Sequence, residues 1–377
     1  MDFSYSDEQQ MLQDSVQKFV LSQYDFDTRH KILKSDRGFS EEYWSLFAEL
    51  GWLTVPFREE DGGFGGSAVD LMVVMEEFGK GMVVEPFLPT AVISGGLVSE
   101  LGNAAQKEEL ISAVMEGGLQ LATAYAEADS RFNLASVATS AVKNGDNYTL
   151  NGSKILVLNG PSADKLVVIA RTSGSQFDRD GISAFLVDAS AAGVSKRAYT
   201  AVDGHRAAEI HLKDVTVSAD ALLGKEGGAL VALEAVVDRA ALAVSAEAVG
   251  AMDCLLKKTV EYAKTRKQFG VAIGTFQALQ HRMSEMFIEC QLARSIVIMA
   301  AMKLDSSVSA EEKAKAVSAA KSRVGRAMRK VGQESVQIHG GIAVTDELDV
   351  GHYFKRVTTI ENLFGNTDHH TLRYAAL

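Results

Sequence analysis

The most constraining feature of this 377-residue chain is the stretch from Gly227 to its carboxyl end, which contains no proline. Within it, the segment LVALEAVVDRAALAVSAEAVGAMDCLLKKTVEYAKTRKQF has few β-branched interruptions and repeats its apolar residues at three- and four-residue spacing. This spacing places apolar side chains on one face of a helix, and proline would break such a helix. We therefore predict a four-helix bundle over residues 226–377.

Residues 120–225 have a different pattern, in which short β-rich runs are separated by Gly, Asn, Asp and Ser. The runs NYTLNGSKILVL, DKLVVIART and GISAFLVD are typical of strands, so we predict a small antiparallel β-barrel or sandwich. Asn151 and Gly152 predict a hairpin turn, because Asn-Gly readily takes positive φ angles.

Residues 1–119 return to helical spacing, as in LMVVMEEFGKGMV. Ser6 followed by Gln9 predicts a capping box, and the run DGGFGG predicts a break between helices. The fold class is therefore mainly α with a central β-domain, and three domains are expected: an amino-terminal helical bundle, a middle β-domain and a carboxyl-terminal bundle.

The net charge of −11 and the isoelectric point near 5.3 argue against nucleic acid as a partner. Cys254 and Cys290 both lie in apolar helical stretches, so we expect neither a disulfide framework nor a zinc site. A reducing cytoplasm fits this cysteine usage. We expect no signal peptide, because the amino terminus lacks a basic start and an apolar run, and no membrane span, because no segment of sufficient length is free of charge.

The segment TRKQFGVAIGTFQALQH places Arg266, Gln268 and Phe269 at a turn between two long helices. Such a turn can bind a pyrophosphate; the alternative is a basic, glycine-broken helix connection. The later segment QIHGGIAVTDE contains Gly340 and Gly341, which let the backbone approach a phosphate or a flat ring closely. A plain turn is the alternative there.

These two segments, in this order and at this separation, resemble those of the acyl-CoA dehydrogenase family. The resemblance covers nearly the whole chain, including FSYSDEQQMLQDSV and FREEDGGFGGSAVDLMVVMEEFG. The runs SKILVLNGPSADKLVVIART, SAEAVGAM, VGHYFKRVTTIENLFG and NTDHH resemble most strongly the smaller-subunit type of pimeloyl-CoA and steroid side-chain dehydrogenases.

The resemblance implies that an acyl-CoA is oxidised to the 2-enoyl-CoA, with FAD as cofactor and an electron-transfer flavoprotein as electron acceptor. It also implies a homodimer or homotetramer, or a heteromer with a second acyl-CoA dehydrogenase chain, because residues from a neighbouring subunit would complete the FAD site. The residues implied around the adenosine and pyrophosphate are Arg266, Gln268, Phe269, Ile273, Phe276 and Gln277, with Gln337, Gly340 and Gly341 from the neighbour and Thr367 near the same nucleotide.

The reaction requires a carboxylate beside the α carbon of the thioester while the β hydrogen leaves as hydride. Many relatives supply it from a Tyr-Glu-Gly-Thr sequence, but the matching run here has Gly365 in place of the glutamate. Other relatives place it on the long helix just before an arginine, which corresponds to Asp238 and Arg239. Asp238 is therefore the predicted base, and Arg239 is predicted to contact the pantetheine or phosphate end of CoA.

Alternatives to this assignment remain open. Asp238 and Arg239 also fit a surface ion pair or a feature of the helix start, and Glu247 and Glu361 are two further carboxylates that helix rotation would bring to the same cavity. The histidines His339, His369 and His370 fit either ligand contacts or packing, and no metal-ligand spacing is present.

The middle domain departs from the family pattern at the flavin ring. Relatives carry a Thr-Glu-Pro-Gly-Ala-Gly-Ser-Asp loop where this chain reads AEADS, residues 126–130, and Leu156 and Leu158 replace a Trp and a Thr. Leucine packs against a ring but donates no hydrogen bond to it. Two other functions therefore compete with a complete dehydrogenase: a non-catalytic partner subunit that completes its neighbour's FAD site, and a flavoprotein oxidase or monooxygenase on the same fold.

Overall fold

The structure, a computed structural model, describes residues 5–377. This part of the chain forms eleven α-helices, six before the strands of the middle region and five after them. They are α1 (Asp7–Gln23), α2 (Phe26–Leu33), α3 (Glu41–Glu49), α4 (Ala68–Gly81), α5 (Gly96–Leu101), α6 (Ala104–Met115), α7 (Leu230–Thr265), α8 (Gln277–Asp305), α9 (Ala310–His339), α10 (Asp349–Asn362) and α11 (Thr367–Ala376). The predicted order of helices, strands and helices is confirmed.

The strands of the middle region form one mixed sheet, and two short strands form a separate hairpin. They are β1 (Leu121–Ala124), β2 (Ser140–Asn144), β3 (Asn147–Leu158), β4 (Lys165–Arg171), β5 (Ile182–Asp188), β6 (Val194–Thr200), β7 (Arg206–Ser218), β8 (Leu222–Leu223), β9 (Lys267–Gln268) and β10 (Val271–Ala272). The sheet order is β6-β7-β3-β2-β4-β5-β8, with β1 beside β4, and the hairpin joins β9 to β10.

The large sheet is open, because its path ends at β6 and β8, and no closed barrel is present in the described chain. Most neighbouring strands are antiparallel as predicted, but β1 runs parallel to β4 and β2 makes a short parallel contact with β4. The excursion through β2 and β3 supplies the long connection that parallel pairing of β1 and β4 requires. The hydrophobic core of the large sheet includes the fully buried side chains of Leu150, Val168, Phe185 and Ile210.

The predicted hairpin turn at Asn151 and Gly152 is wrong. The turn between β2 and β3 lies at Gly145 and Asp146, whereas Asn151 and Gly152 lie inside β3, where the register against β7 shifts. A Cβ atom on Gly152 would lie 2.4 Å from Oγ1 of Thr139. Glycine is needed here because the chain directly before β2 passes closely at an irregularity of the sheet.

Residue contacts divide the chain into two compact units. One unit holds the amino-terminal residues to Lys31, Ser67–Val83 and Ala241–Leu377, and the other holds Ile32–Gly66 and Val84–Ala240. Helix α7 contributes its first part to the second unit and the rest to the first.

In the first unit, two features fix the helices locally. The capping box of α1 is confirmed, since Ser6 Oγ accepts the backbone N–H of Gln9 and the Gln9 side chain accepts that of Ser6. Helices α4 and α7 approach at Gly79, where a Cβ atom would lie 2.0 Å from the Glu247 carbonyl oxygen. Reciprocally, a Cβ on Gly250 would lie 1.9 Å from the Glu76 carbonyl oxygen, so only glycine allows this helix contact. None of the helices in residues 5–377 combines the length and apolar content needed to span a membrane.

Candidate functional site

The predicted turn between two long helices is present and contains the β9–β10 hairpin. Phe269 and Gly270 form its two-residue tip with φ angles of 53° and 82°, the geometry of a type I′ turn. The Ile273 N–H donates to the Arg266 carbonyl at 2.8 Å, which closes the base of the hairpin. Phe269 is 91% exposed, and its ring lies edge-on to that of Phe276 at 6.1 Å between centroids.

Hydrogen-bond donors surround this hairpin. The side chains of Arg266, Gln268 and Gln277 are exposed. Helix α8 begins at Gln277, and Phe276 at its N-cap provides no side-chain cap. The first turn of α8 and the Arg266 guanidinium therefore present N–H groups to solvent, which suits an anionic pyrophosphate. Ile273, directly after the hairpin, has a buried side chain that anchors this turn to the protein.

The second predicted segment follows directly on the end of α9. Gln337 is exposed, and Gly340 has a φ angle of 69°. A Cβ atom on Gly340 or Gly341 would meet no atom within 4 Å, so the backbone here faces open space. Both observations fit a segment that a flat or phosphorylated ligand approaches closely.

Both segments lie at the same end of the C-terminal helices. The Tyr262 ring, one turn before Arg266 on α7, stacks on the His339 ring at 4.4 Å, and its hydroxyl donates to the His339 carbonyl at 3.3 Å. His339 Nδ1 lies 2.8 Å from the Ser335 carbonyl, and burial lowers the pKa of this histidine. His339 is therefore a packed, neutral residue that joins the ends of α7 and α9.

Thr367 lies in a different environment from these exposed residues. Its side chain is 6% exposed, and its backbone N–H donates to Glu361 Oε1 at 3.0 Å. A Cβ atom on Gly325 would lie 2.2 Å from Thr367 Oγ1 and 2.4 Å from Glu361 Oε2, so both side chains cover the α9 backbone at this glycine. The structure thus places Thr367 beside Glu361, with its Oγ1 buried and without a hydrogen-bond partner.

Asp238 and Arg239 lie on α7, in the second unit. Asp238 is 8% exposed, which places a carboxylate inside the protein. Arg239 is half-buried, and its Nη2 donates to the Gly66 carbonyl at 2.6 Å, within the DGGFGG run. This bond fixes the guanidinium of the residue that directly follows Asp238 on α7. The sequence signal for the pair was the Asp-Arg spacing alone.

The two other candidate carboxylates have partners. Glu247 forms a bidentate ion pair with Arg356, and both side chains are almost fully buried. Glu361 accepts the Thr367 N–H and lies 3.4 Å from Arg329. Arg356 holds both oxygens of Glu247, so this carboxylate is unavailable without breaking the pair. Glu361 makes its bonds through Oε1, and its Oε2 is buried without a hydrogen-bond partner. The sequence analysis missed Arg356. Its signal was an arginine at helical spacing from Tyr353 and Ile360, which places a charge on the buried face of α10.

The AEADS segment keeps one buried charge, which the sequence analysis also missed. Glu127 Oε1 accepts from Lys154 Nζ at 2.7 Å, and its two oxygens also accept the N–H groups of Ala138 and Thr139. Burial acts to raise the Glu127 pKa, but Lys154 and these backbone bonds hold it below its usual range. The signal was a lysine on an inward-facing position of a strand.

Leu156 lies where the register of β3 against β7 shifts. Its φ angle is 50°, an uncommon conformation for a branched side chain, and it is 38% exposed. Such strain persists only where surrounding structure enforces it and is frequent at functional sites. Here it presents an apolar side chain at the surface of the sheet. Leu158 is half-buried in the same strand.

Three family models match the chain in tandem. They are the acyl-CoA dehydrogenase N-terminal domain over residues 6–118, the middle domain over 122–215 and the C-terminal domain over 226–376. Together they leave only short connecting stretches unmatched.

Individual relatives match over almost their whole length. Caffeyl-CoA reductase-Etf complex subunit CarC of Acetobacterium woodii is 28% identical over 363 residues, which is 94% of each chain. The solved structure of butyryl-CoA dehydrogenase from Megasphaera elsdenii is 26% identical with a TM-score of 0.91, over 100% of this chain and 99% of that one. A variant of the Tcur3481-Tcur3483 steroid ACAD is 28% identical with a TM-score of 0.87, over 98% and 97%.

Proposed function

The chain belongs to the acyl-CoA dehydrogenase family, and from this we propose that it removes the α and β hydrogens of an acyl-CoA thioester and passes the electrons to an electron-transfer flavoprotein. As a family member it is an oxidoreductase that acts on acyl-CoA and uses FAD. The proposed acceptor is supported by the Etf complex to which CarC belongs. Residues 1–119, 120–225 and 226–377 are the three proposed domains.

The exposed surface around the hairpin fits the nucleotide part of FAD. We assign Arg266, Gln268 and Gln277 to polar contacts and Phe269 and Phe276 to apolar contacts with it, because all five side chains are exposed at one turn. Gly340 and Gly341 add open backbone at the same end of the helices, and Gln337 adds an exposed side chain. When bound, FAD accepts the β hydrogen of the substrate as hydride.

A symmetric pair of chains explains how one surface serves two FAD sites. In an isologous dimer the same patch occurs on both subunits. The hairpin of one subunit would then bind one FAD, and the Gln337–Gly341 segment of the same subunit would bind the other. The exposed apolar side chains Phe269, Ile342 and Val344 support an interface at this end of the helices.

Asp238 is the proposed base, and one observation carries this assignment: it is a buried carboxylate on α7 beside an anchored arginine. Glu247 is held at both oxygens by Arg356, whereas Glu361 accepts the Thr367 N–H with one oxygen only. Asp238 would take the α proton of the thioester. Arg239, fixed by Gly66, would contact CoA.

The function is tested by adding an acyl-CoA to the purified, FAD-loaded protein without oxygen and recording the flavin absorbance. Bleaching of the flavin, with formation of the 2-enoyl-CoA, is expected. Subsequent reoxidation by an electron-transfer flavoprotein identifies the acceptor, whereas rapid reoxidation by oxygen alone would indicate an oxidase. An FAD spectrum that acyl-CoA leaves unchanged contradicts the proposal for the isolated chain.

A second function, the partner subunit, has its own support. The AEADS segment keeps Glu127 in a structural ion pair, and Leu156 and Leu158 offer no side-chain donors. The Tcur3481-Tcur3483 relative is named for two components. Co-expression with an acyl-CoA dehydrogenase chain encoded beside it tests this role: activity only on co-expression, surviving Asp238→Asn, would make this chain chiefly a scaffold.

The free state of Cys254 and Cys290 supports the cytoplasm as the proposed location.

A further inference from the structure

The Lys321 side chain holds the loop between α10 and α11 through hydrogen bonds to backbone carbonyls. This loop, Leu363–Asn366, carries Gly365, the residue that matches the family glutamate. Lys321 is fully buried, and its Nζ donates to the Gly365 carbonyl at 2.7 Å, the Ile360 carbonyl at 3.0 Å and the Glu361 carbonyl at 3.2 Å. An ammonium group has three N–H donors, so all of them are used on this one loop and the helix end before it.

His370 holds the same loop from α11. Its side chain is 1% exposed, and its Nε2 lies 2.9 Å from the Phe364 carbonyl oxygen. Because a carbonyl only accepts, Nε2 carries the proton and donates it, which leaves Nδ1 to accept from the Ser318 hydroxyl at 3.3 Å. Burial and the nearby Lys321 lower the pKa of His370 to about 3, so it stays neutral and the bond persists at physiological pH.

The conformation that these bonds fix has no room for a side chain at residue 365. Gly365 has a φ angle of 107°, which side-chain-bearing residues rarely adopt. A Cβ atom there would lie 2.6 Å from Cδ2 of His369 and 2.6 Å from Nε2 of His370. His370 cannot move away without releasing the Phe364 carbonyl inside the protein.

We propose that Lys321 and His370 are positioning residues that hold the α10–α11 loop closed to any side chain at residue 365, so that this loop cannot supply the base. The last clause rests on the proposed function, whereas the closure itself is a property of the fold. The conformation of this loop then requires glycine at residue 365. Proton abstraction therefore depends on a carboxylate from another element.

Thermal unfolding of Gly365→Ala tests the closure. The control is Gly65→Ala, since Gly65 also has a positive φ angle, 125°, but a Cβ there meets nothing within 4 Å. Both variants bear the backbone strain and only Gly365→Ala bears the clash, so its midpoint should fall by at least about 5 °C more. In a His369→Ala/His370→Ala background this extra loss should shrink by more than half.

Equal losses for the two alanine variants in the parent would overturn the closure, even if the double-histidine background fails to fold. An extra loss that is unchanged in a folded background would overturn the role of the histidines.

Flavin reduction tests the consequence for catalysis. Gly365→Glu is introduced into the Asp238→Asn chain, and no acyl-CoA-dependent bleaching is expected while Lys321 and His370 are present. Restored bleaching at a tenth of the parental rate or more would show that the loop accepts a carboxylate and would overturn the proposal. A parent chain that never bleaches would contradict the proposed function instead, and the unfolding comparison would still decide the closure.

Discussion

Glu247 and Arg356 form a bidentate ion pair inside the C-terminal helical region, with Nε donating to Oε1 at 2.5 Å and Nη2 to Oε2 at 2.7 Å. Their side chains are 3% and 5% exposed. The pair connects α7 to α10 close to Gly79, where α4 packs on the Glu247 backbone. Both carboxylate oxygens accept hydrogen bonds from Arg356, so Glu247 has a structural role.

Replacing Arg356 with Met should lower the free energy of unfolding by about 3 to 5 kcal/mol, because it leaves a buried carboxylate without a partner. Urea unfolding measures the change. The control is Arg179→Met, which breaks a pair with Glu234 whose arginine is 66% exposed, and its loss should be much smaller. Similar losses for both variants would mean that the Glu247–Arg356 pair is not the structural link described here.

Asp238→Asn should still bind acyl-CoA but reduce its flavin about 10²- to 10⁴-fold more slowly, because the amide cannot accept the α proton. Anaerobic stopped-flow absorbance gives the rate. Glu234→Gln removes a carboxylate from the same helix, one turn earlier and more exposed, and should keep the parental rate. A parental rate in Asp238→Asn would eliminate Asp238 and direct attention to Glu361.

Arg266→Ala should weaken FAD retention by about 1.5 to 3 kcal/mol if the guanidinium makes a charge-assisted bond to the pyrophosphate. Flavin remaining after dialysis, measured at several protein concentrations, gives the change in affinity. Lys267→Ala is the matched control, since Lys267 is an exposed cation in the same hairpin. Equal retention in Arg266→Ala and the parent contradicts the assignment of Arg266.

Much of this architecture could be predicted because it is local in the sequence. Helical spacing predicts the helices before and after the sheet, and the capping box at Ser6 depends on residues three apart. The Asn151–Gly152 prediction failed because a turn and a bulge use the same residues. Only the close approach of Thr139, directly before β2, distinguishes them. Strand order likewise depends on pairing between distant segments.

The same limit applies to the site. Motifs identify the turn at Arg266 and the turn at Gly340, whose backbone conformations are set by neighbouring residues. Arg356 and its partner Glu247 lie 109 positions apart along the chain. No periodic pattern in the sequence predicts such a pair. Long-range contacts therefore decide which carboxylates are available.

Lys321 should make stability rise with pH in the alkaline range. Burial lowers its pKa from 10.5 to about 8, although Glu361 opposes the shift. Between these two values the unfolded chain binds more protons than the folded chain, so the free energy of unfolding increases with pH, by up to about 3 kcal/mol. Below pH 8 both states are protonated and the contribution is flat.

Lys321→Met has no group to titrate, so the difference in unfolding free energy between parent and variant should grow between pH 8 and pH 10.5. Urea unfolding at half-unit intervals measures this difference, and other titrating groups cancel in the subtraction. A difference that stays constant over this range would show that Lys321 keeps its ordinary pKa.

Phe269→Ser should weaken subunit association without destabilising the single chain. The ring is 91% exposed at the tip of the hairpin, so it contributes little to the core, and its loss should leave the unfolding of the isolated chain nearly unchanged. If the hairpin lies at the interface that completes the FAD site, the same change should raise the dissociation constant of the dimer, or of the heteromer, at least tenfold and lower flavin content with it. Phe177→Ser is the control, since Phe177 is 66% exposed in the loop between β4 and β5. Sedimentation velocity over a concentration series, with flavin absorbance as a second signal, follows assembly and cofactor together. Unchanged association and flavin content in Phe269→Ser would separate the hairpin from the interface, and equal weakening in both variants would reduce the effect to general surface hydrophobicity.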